Sequence, residues 1–168
     1  YGYLKGTYAR DKDAVCAAML ATEMAAYYKA KNMTLYDALQ KLYEKYGYYG
    51  EKSQDVYMEG LDGIERRTNT RKNLRENPPK SIGGSPVAFV GDYLAGTITT
   101  LSDGSTKPTG LPKSDVLYYG LADGDVAVIR PSGTEPKIKI YYLASAKDAA
   151  TLAAKLATYA AETDKLVK

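Results

Sequence analysis

Apolar residues recur at two periods along this chain, a helical one near its start and end and a strand-like one between. Val15, Met19, Thr22 and Ala26, thickened by Ala18 and Ala25, form a helical stripe that predicts one buried face. Asp11-Lys12-Asp13 opens that helix, since either aspartate caps the orphan N–H groups and suits the dipole there. The helix is predicted to run to about Ala30, after a loop over Tyr1 to Arg10 broken by Gly2 and Gly6. Thr34 is the expected N-cap of a second helix, with Leu35, Leu39, Leu42 and Tyr46 on its apolar side and Gly47 as its stop.

From Tyr48 the pattern changes, which predicts a domain boundary near Tyr46–Gly47. Tyr48 to Met58 reads as a strand, weakest at Gly50. Leu61 to Glu76 reads as a helix whose Ile64 and Leu74 are apolar, but Arg67 and Arg71 interrupt nearly the same face and leave its burial open. Pro78-Pro79 ends it and Gly83-Gly84 turns the chain. Strands follow at Val87 to Val90, Gly96 to Leu101, Val116 to Leu121 and Asp125 to Ile129, the last two joined by the hairpin signal Ala122-Asp123-Gly124. The strand from Lys137 to Tyr142 alternates, with Ile138, Ile140 and Tyr142 on one side and Lys137, Lys139 and Tyr141 on the other. A final helix from Ala146 carries Leu152, Leu156 and Tyr159 and is expected to cover the isoleucine side, leaving Lys137 and Lys139 on the open one. The predicted class is α+β, a small antiparallel sheet with helices on one face, preceded by a helical segment.

Composition narrows the chemistry more than the fold. The 168 residues are 45% hydrophobic and 26% charged, enough for one full core or a core with an appendage. The absence of histidine removes the commonest general base and zinc ligand. One cysteine, Cys16, forms no internal disulfide or thiolate metal site and is expected as a buried reduced thiol. No apolar run approaches the roughly 20 residues of a membrane span, and no signal peptide opens the chain. A cytoplasmic protein is the expectation, and a start at Tyr1 rather than Met fits a piece of something longer.

The candidate chemistry lies between the last two strands, in Arg130-Pro131-Ser132-Gly133-Thr134-Glu135-Pro136-Lys137. Arg130 offers a planar fork that matches a phosphoryl group, and Ser132 and Thr134 add hydroxyl donors. Gly133 is free to take a positive φ and let backbone N–H groups converge on an anion. The plainer alternative is a turn-rich hairpin with Arg130 an ordinary surface charge. Glu135 is expected to order the loop by pairing with a cation, since like charges repel. A second candidate is Arg67, Arg71 and Arg75 at i, i+4 and i+8, a nucleic-acid footprint in form. A net charge of +3 and the bracketing Glu65 and Glu76 argue against nucleic acid and for a solvated helix face.

The eight-residue loop, its preceding Asp-Gly-Asp hairpin, the alternating Lys/Ile strand and the terminal helix together resemble the fourth domain of α-D-phosphohexomutases. Tyr1-Gly2-Tyr3, Gly6-Thr7 and Arg10-Asp11-Lys12-Asp13-Ala14 are similar to the segment after the sugar-binding loop in that family's third domain. Asn77-Pro78-Pro79-Lys80 is a further match, and all lie in collinear order. The resemblance is to the phosphoglucomutase/phosphomannomutase branch, most of all α-phosphoglucomutase. It implies an isomerase, in effect an intramolecular phosphotransferase, that interconverts hexose 1-phosphate and 6-phosphate through a bisphosphorylated intermediate. Residues 1–46 would be the helical tail of the third domain and 47–168 the phosphate-binding fourth domain. Arg130, Ser132, Gly133 and Thr134 would contact the phosphate that does not react, with Lys139 as a second basic residue. Lys12 would line the cleft near the reacting hydroxyl, although a free lysine, with a pKa of about 10.4, is a poor base near neutrality. Plain solvated roles for Lys12 and Lys139 stay open. The phosphoserine and Mg2+ loops of the family are not in these residues, so no cofactor is expected in this chain, Mg2+ is implied for the parent enzyme, and the isolated chain is expected to be inactive. Expected partners are a glucose 1-phosphate/6-phosphate class sugar and the parent's remaining domains, with no membrane.

Overall fold

A computed structural model of the chain describes residues 3–167, leaving out the side chain of Leu61; the Tyr1-Gly2 part of the expected opening loop lies outside it. The chain separates into two compact units, Tyr1–Gly47 and Tyr48–Lys168.

In the first unit, α1 (Ala14–Lys29) starts where Asp13 Oδ1 accepts from the N–H groups of Val15 and Cys16 at 3.0 and 3.1 Å. The helix α2 (Leu35–Tyr46) opens on a reciprocal Thr34–Asp37 capping box and ends at Gly47, whose φ of 92° only glycine adopts readily. The stripe on α1 is not buried as its spacing predicts. Val15 and Met19 are 73% and 70% exposed, Leu35, Leu39 and Leu42 on α2 are exposed too, and only Cys16 and Ala38 are buried. Two helices offer each other one contact line, and the small side chains occupy it; a second layer is needed to cover the large ones.

The second unit is built on an eight-stranded antiparallel sheet. Its strands are β1 (Tyr48–Tyr57), β2 (Ser81–Ile82), β3 (Ser85–Asp92), β4 (Thr97–Thr100), β5 (Thr106–Pro108), β6 (Leu117–Leu121), β7 (Val126–Pro131) and β8 (Lys137–Ala146). They pair antiparallel in the order β1-β8-β7-β6-β3-β4-β5, with β2 beside β3. The short strands β2 and β5 escape sequence patterning because each has too few residues to show an alternation, and β5 is exposed throughout. Strand β8 is longer than its lysine/isoleucine segment because β1 pairs with it over ten residues, from Tyr48 opposite Ala146 to Tyr57 opposite Lys137.

The alternation on β8 holds from Ile138 to Ala144. Ile138, Ile140 and Tyr142 are fully buried with Ala127, Ile129, Leu117 and Tyr119 from neighbouring strands. The helix α4 (Ala149–Val167) covers them through Leu152, Tyr159, Thr163 and Val167. The helix α3 (Leu61–Glu76) packs on the same side, where the buried Tyr119 hydroxyl donates to Leu74 O at 3.0 Å. Each fully buried large side chain contributes on the order of 1.5–3 kcal/mol of transfer free energy. Within this unit neither helix covers the opposite face of the sheet, and the loop of interest opens at its edge.

Candidate anion site at the β7–β8 hairpin

The hairpin register sets the chemistry. Arg130 stands opposite Lys139 and Pro131 opposite Ile138, so residues 132–136 close the turn. Lys139 in turn faces Asp55 on β1. One cross-strand row therefore reads Arg130, Lys139, Asp55, all on the face away from α4. Two cations directly opposite each other destabilise a bare sheet. An anion between them reverses that sign.

Inside the loop, Ser132 N donates to Lys137 O at 3.0 Å, Lys137 N to Glu135 O at 2.8 Å and Glu135 N to Ser132 Oγ at 3.3 Å. The N–H groups of Gly133 and Thr134 carry no hydrogen bond to any other described residue. Gly133 does not take the positive φ its type allows. Its use is openness: an added Cβ would meet nothing within 4 Å, so a ligand has clear approach to the backbone there. The base of the loop is held from outside, because Met58 N donates to Pro136 O at 2.8 Å and Met58 O accepts from Arg67 at 2.5 Å.

Arg130 is exposed and, among the described residues, has no carboxylate within ion-pair distance. It lines an open groove of about 560 Å³ with Ser53, Val128 and Tyr141. Ser132 is half-buried and Thr134 exposed. Lys139 is half-buried with its Nζ 4.0 Å from Asp55. Lys12 belongs to the first unit, where it is exposed and pairs with Asp11 at 2.7 Å.

Lys137 corrects the expectation of an open-face lysine. Only 5% of it is exposed, and its ammonium lies 2.7 Å from Asp55, 2.8 Å from Glu135 and 3.1 Å from the Tyr57 hydroxyl. The hydrogen bond to Asp55, joined by those to Glu135 and Tyr57, raises its pKa well above the ordinary lysine value. The same bond to Lys137 holds the Asp55 carboxyl below the usual carboxylate range. Glu135 thus orders the loop by pairing with a cation. Asp55 and Tyr57 were invisible to motif reading because they arrive from a strand some eighty residues earlier.

The arginines of α3 also depart from expectation. Arg71 and Arg75 both bind Asp115, and Arg75 reaches Asp92 at 3.2 Å, with side chains only 21% and 19% exposed. They brace the sheet and do not form a solvated face. Their partners lie 17 to 44 residues away in sequence, so spacing on the helix gives no hint of them.

Among the described residues no three of His, Cys, Asp and Glu gather as a metal site. No described helix is long and apolar enough to cross a membrane.

The family model described as phosphoglucomutase/phosphomannomutase, C-terminal domain, matches residues 99–159, which hold the hairpin and its flanking strands. A phosphoglucomutase of Staphylococcus aureus strain bovine RF122 / ET3-1 is 37% identical over 141 residues, 84% of this chain and 25% of that protein. The phosphoglucomutase of strain MRSA252 is 35% identical over 156 residues, 93% of this chain and 28% of its own length. The chain belongs to the phosphohexomutase family. It spans about a quarter of the length of those phosphohexomutase relatives. The crystal structure of parafusin, a Paramecium phosphoprotein described as a phosphoglucomutase, in its open form, superposes at a TM-score of 0.59. At 17% identity, over 95% of this chain and 28% of that one, it supports the phosphohexomutase fold.

Proposed function

We propose that this chain is the substrate-phosphate grip of a phosphohexomutase that interconverts hexose 1-phosphate and hexose 6-phosphate. The observation that carries the reading is the register of Arg130 against Lys139 beside two unbonded backbone N–H groups. Arg130 supplies the planar fork, Ser132 and Thr134 the hydroxyls, and Gly133 and Thr134 the N–H donors to a phosphate dianion. Lys139 supplies a second charge. Such a grip works by holding one end of the sugar so that the other end meets the reacting group. Residues 47–168 are on this reading the fourth domain, and 1–46 the tail of a third domain whose missing layers cover the apolar faces of α1 and α2. The partners are a glucose-phosphate class sugar and the parent's other domains, in the cytoplasm. Lys12 lines the parent's cleft, and Mg2+ binds elsewhere in the parent.

Titration of the chain with inorganic phosphate is expected to give saturable shifts at the amides of residues 132–134. Arg130→Ala is expected to weaken that binding roughly thirtyfold, the size of a charge-assisted hydrogen-bond pair. Unchanged affinity in the variant rejects the grip.

The 168-residue chain alone is expected to give no glucose 1-phosphate turnover, since it contains neither a phosphoserine loop nor a metal loop. Measurable turnover by the purified chain refutes that division of labour. The nucleic-acid reading loses Arg71 and Arg75 to Asp92 and Asp115, and salt-dependent binding of DNA or RNA is the result that would restore it.

A further inference from the structure

Five charges gather at the loop end of the open sheet face. Arg130, Lys137 and Lys139 are the cations, and Asp55 and Glu135 the carboxylates. Without Lys137 the cluster would balance at two and two, and a dianion would find no net attraction. Lys137 is also the only one of the five enclosed by protein, with both carboxylates and the Tyr57 hydroxyl on its ammonium. Asp55 already stands 4.0 Å from Lys139, the distance of a loose ion pair, while its closer contact is to Lys137 at 2.7 Å.

We infer that Lys137 is a positioning residue, which holds Asp55 and Glu135 to itself and so keeps Lys139 and Arg130 free for the anion. It does not touch the phosphate. Its effect is to set the sign of the local field and the shape of the 132–136 loop together. The pairing of Glu135 turns the loop's one carboxylate inward, and the pairing of Asp55 leaves Lys139 the weaker contact. The inference rests on the phosphate-grip reading, but its contacts exist in the ligand-free chain and are measured there as well.

In the full chain, Lys137→Met is expected to lower the affinity for inorganic phosphate about tenfold. With Asp55→Asn and Glu135→Gln already present, the same change is expected to cost less than about twofold, because the carboxylates it would release are gone. Equal losses in the two backgrounds indicate a merely structural role and overturn the inference, as does unchanged affinity in the single variant. Should Lys137→Met fail to fold, Lys137→Arg keeps the charge and is expected to stay within about twofold of wild type; a tenfold loss there also overturns it. Without ligand, the side-chain nitrogen signal of Lys139 is expected to move in Lys137→Met as Asp55 closes on it. If that signal stays put, the inference fails whatever phosphate does. If it moves while the wild type binds no phosphate, the grip reading fails and the Lys137 contact stands.

Discussion

Gly63→Ala is expected to destabilise the second unit by about 3 kcal/mol or more, the range of a forced steric overlap in a packed site. Gly63 lies in the first turn of α3 and is buried. A Cβ built on it would sit 2.1 Å from Met58 O and 2.7 Å from the Met58 carbonyl carbon, so two pieces of backbone would have to part. Neither is free to move. Met58 O accepts from Arg67, and Met58 N donates to Pro136 O at the base of the candidate anion loop. The overlap therefore pushes either α3 off the sheet or the loop out of place. A urea midpoint at the wild-type value would show that the helix start gives way cheaply. The control is Gly133→Ala, whose Cβ meets nothing within 4 Å and whose φ is not left-handed; its stability is expected to change by less than about 0.5 kcal/mol. One glycine is needed for backbone contact inside the unit, while the other borders open space.

The contrast explains what the chain's residues reveal without coordinates. Strand alternation on β8 and the capping residues Asp13 and Thr34 are local, and each behaves as its own chemistry dictates. The candidate loop is legible for the same reason, because its donors are neighbours in sequence. What stays hidden depends on partners brought from afar. Asp55 reaches Lys137 through the β1–β8 register, and Asp115 reaches Arg71 and Arg75 across 44 and 40 residues of chain. Helical periodicity errs differently on α1. It reports which face is apolar but not whether anything stands opposite, and in the first unit nothing large enough does. On α3 the error has the reverse sign, since a run of arginines reads as surface until two aspartates turn it inward.

A second large loss is expected at a site no motif marks. Asp125→Ala should cost about 3 kcal/mol and lower the melting temperature on the order of 10 °C. Asp125 is only 2% exposed, at the start of β7 after the Asp123-Gly124 turn. One carboxylate oxygen accepts from Ser145 N at 3.0 Å, and the other takes the Tyr159 hydroxyl at 2.7 Å and the Lys155 ammonium at 2.6 Å. Three elements therefore meet on one side chain: the turn before β7, the end of β8 and the middle of α4. The Tyr159 hydroxyl is held un-ionised well above its ordinary pKa, by burial first and then by the hydrogen bond to Asp125. Removing the carboxylate strands the Ser145 N–H, leaves the buried Tyr159 phenol only its longer contact to Asp123 at 3.3 Å, and leaves Lys155 with Asp123 at 2.8 Å and Ser145 O at 3.2 Å. Asp123→Ala is expected to lose less than about 1 kcal/mol, because that carboxylate is 35% exposed and Asp125 keeps both partners. Phosphate affinity separates this role from the loop's. The Asp125 cluster ties α4 to the β6–β7 turn, at the opposite end of β7 from Arg130. In the folded fraction of Asp125→Ala, phosphate binding is expected to stay within about twofold of wild type. A tenfold loss there would mean that the grip depends on how α4 holds the back of the sheet, and not on the hairpin alone.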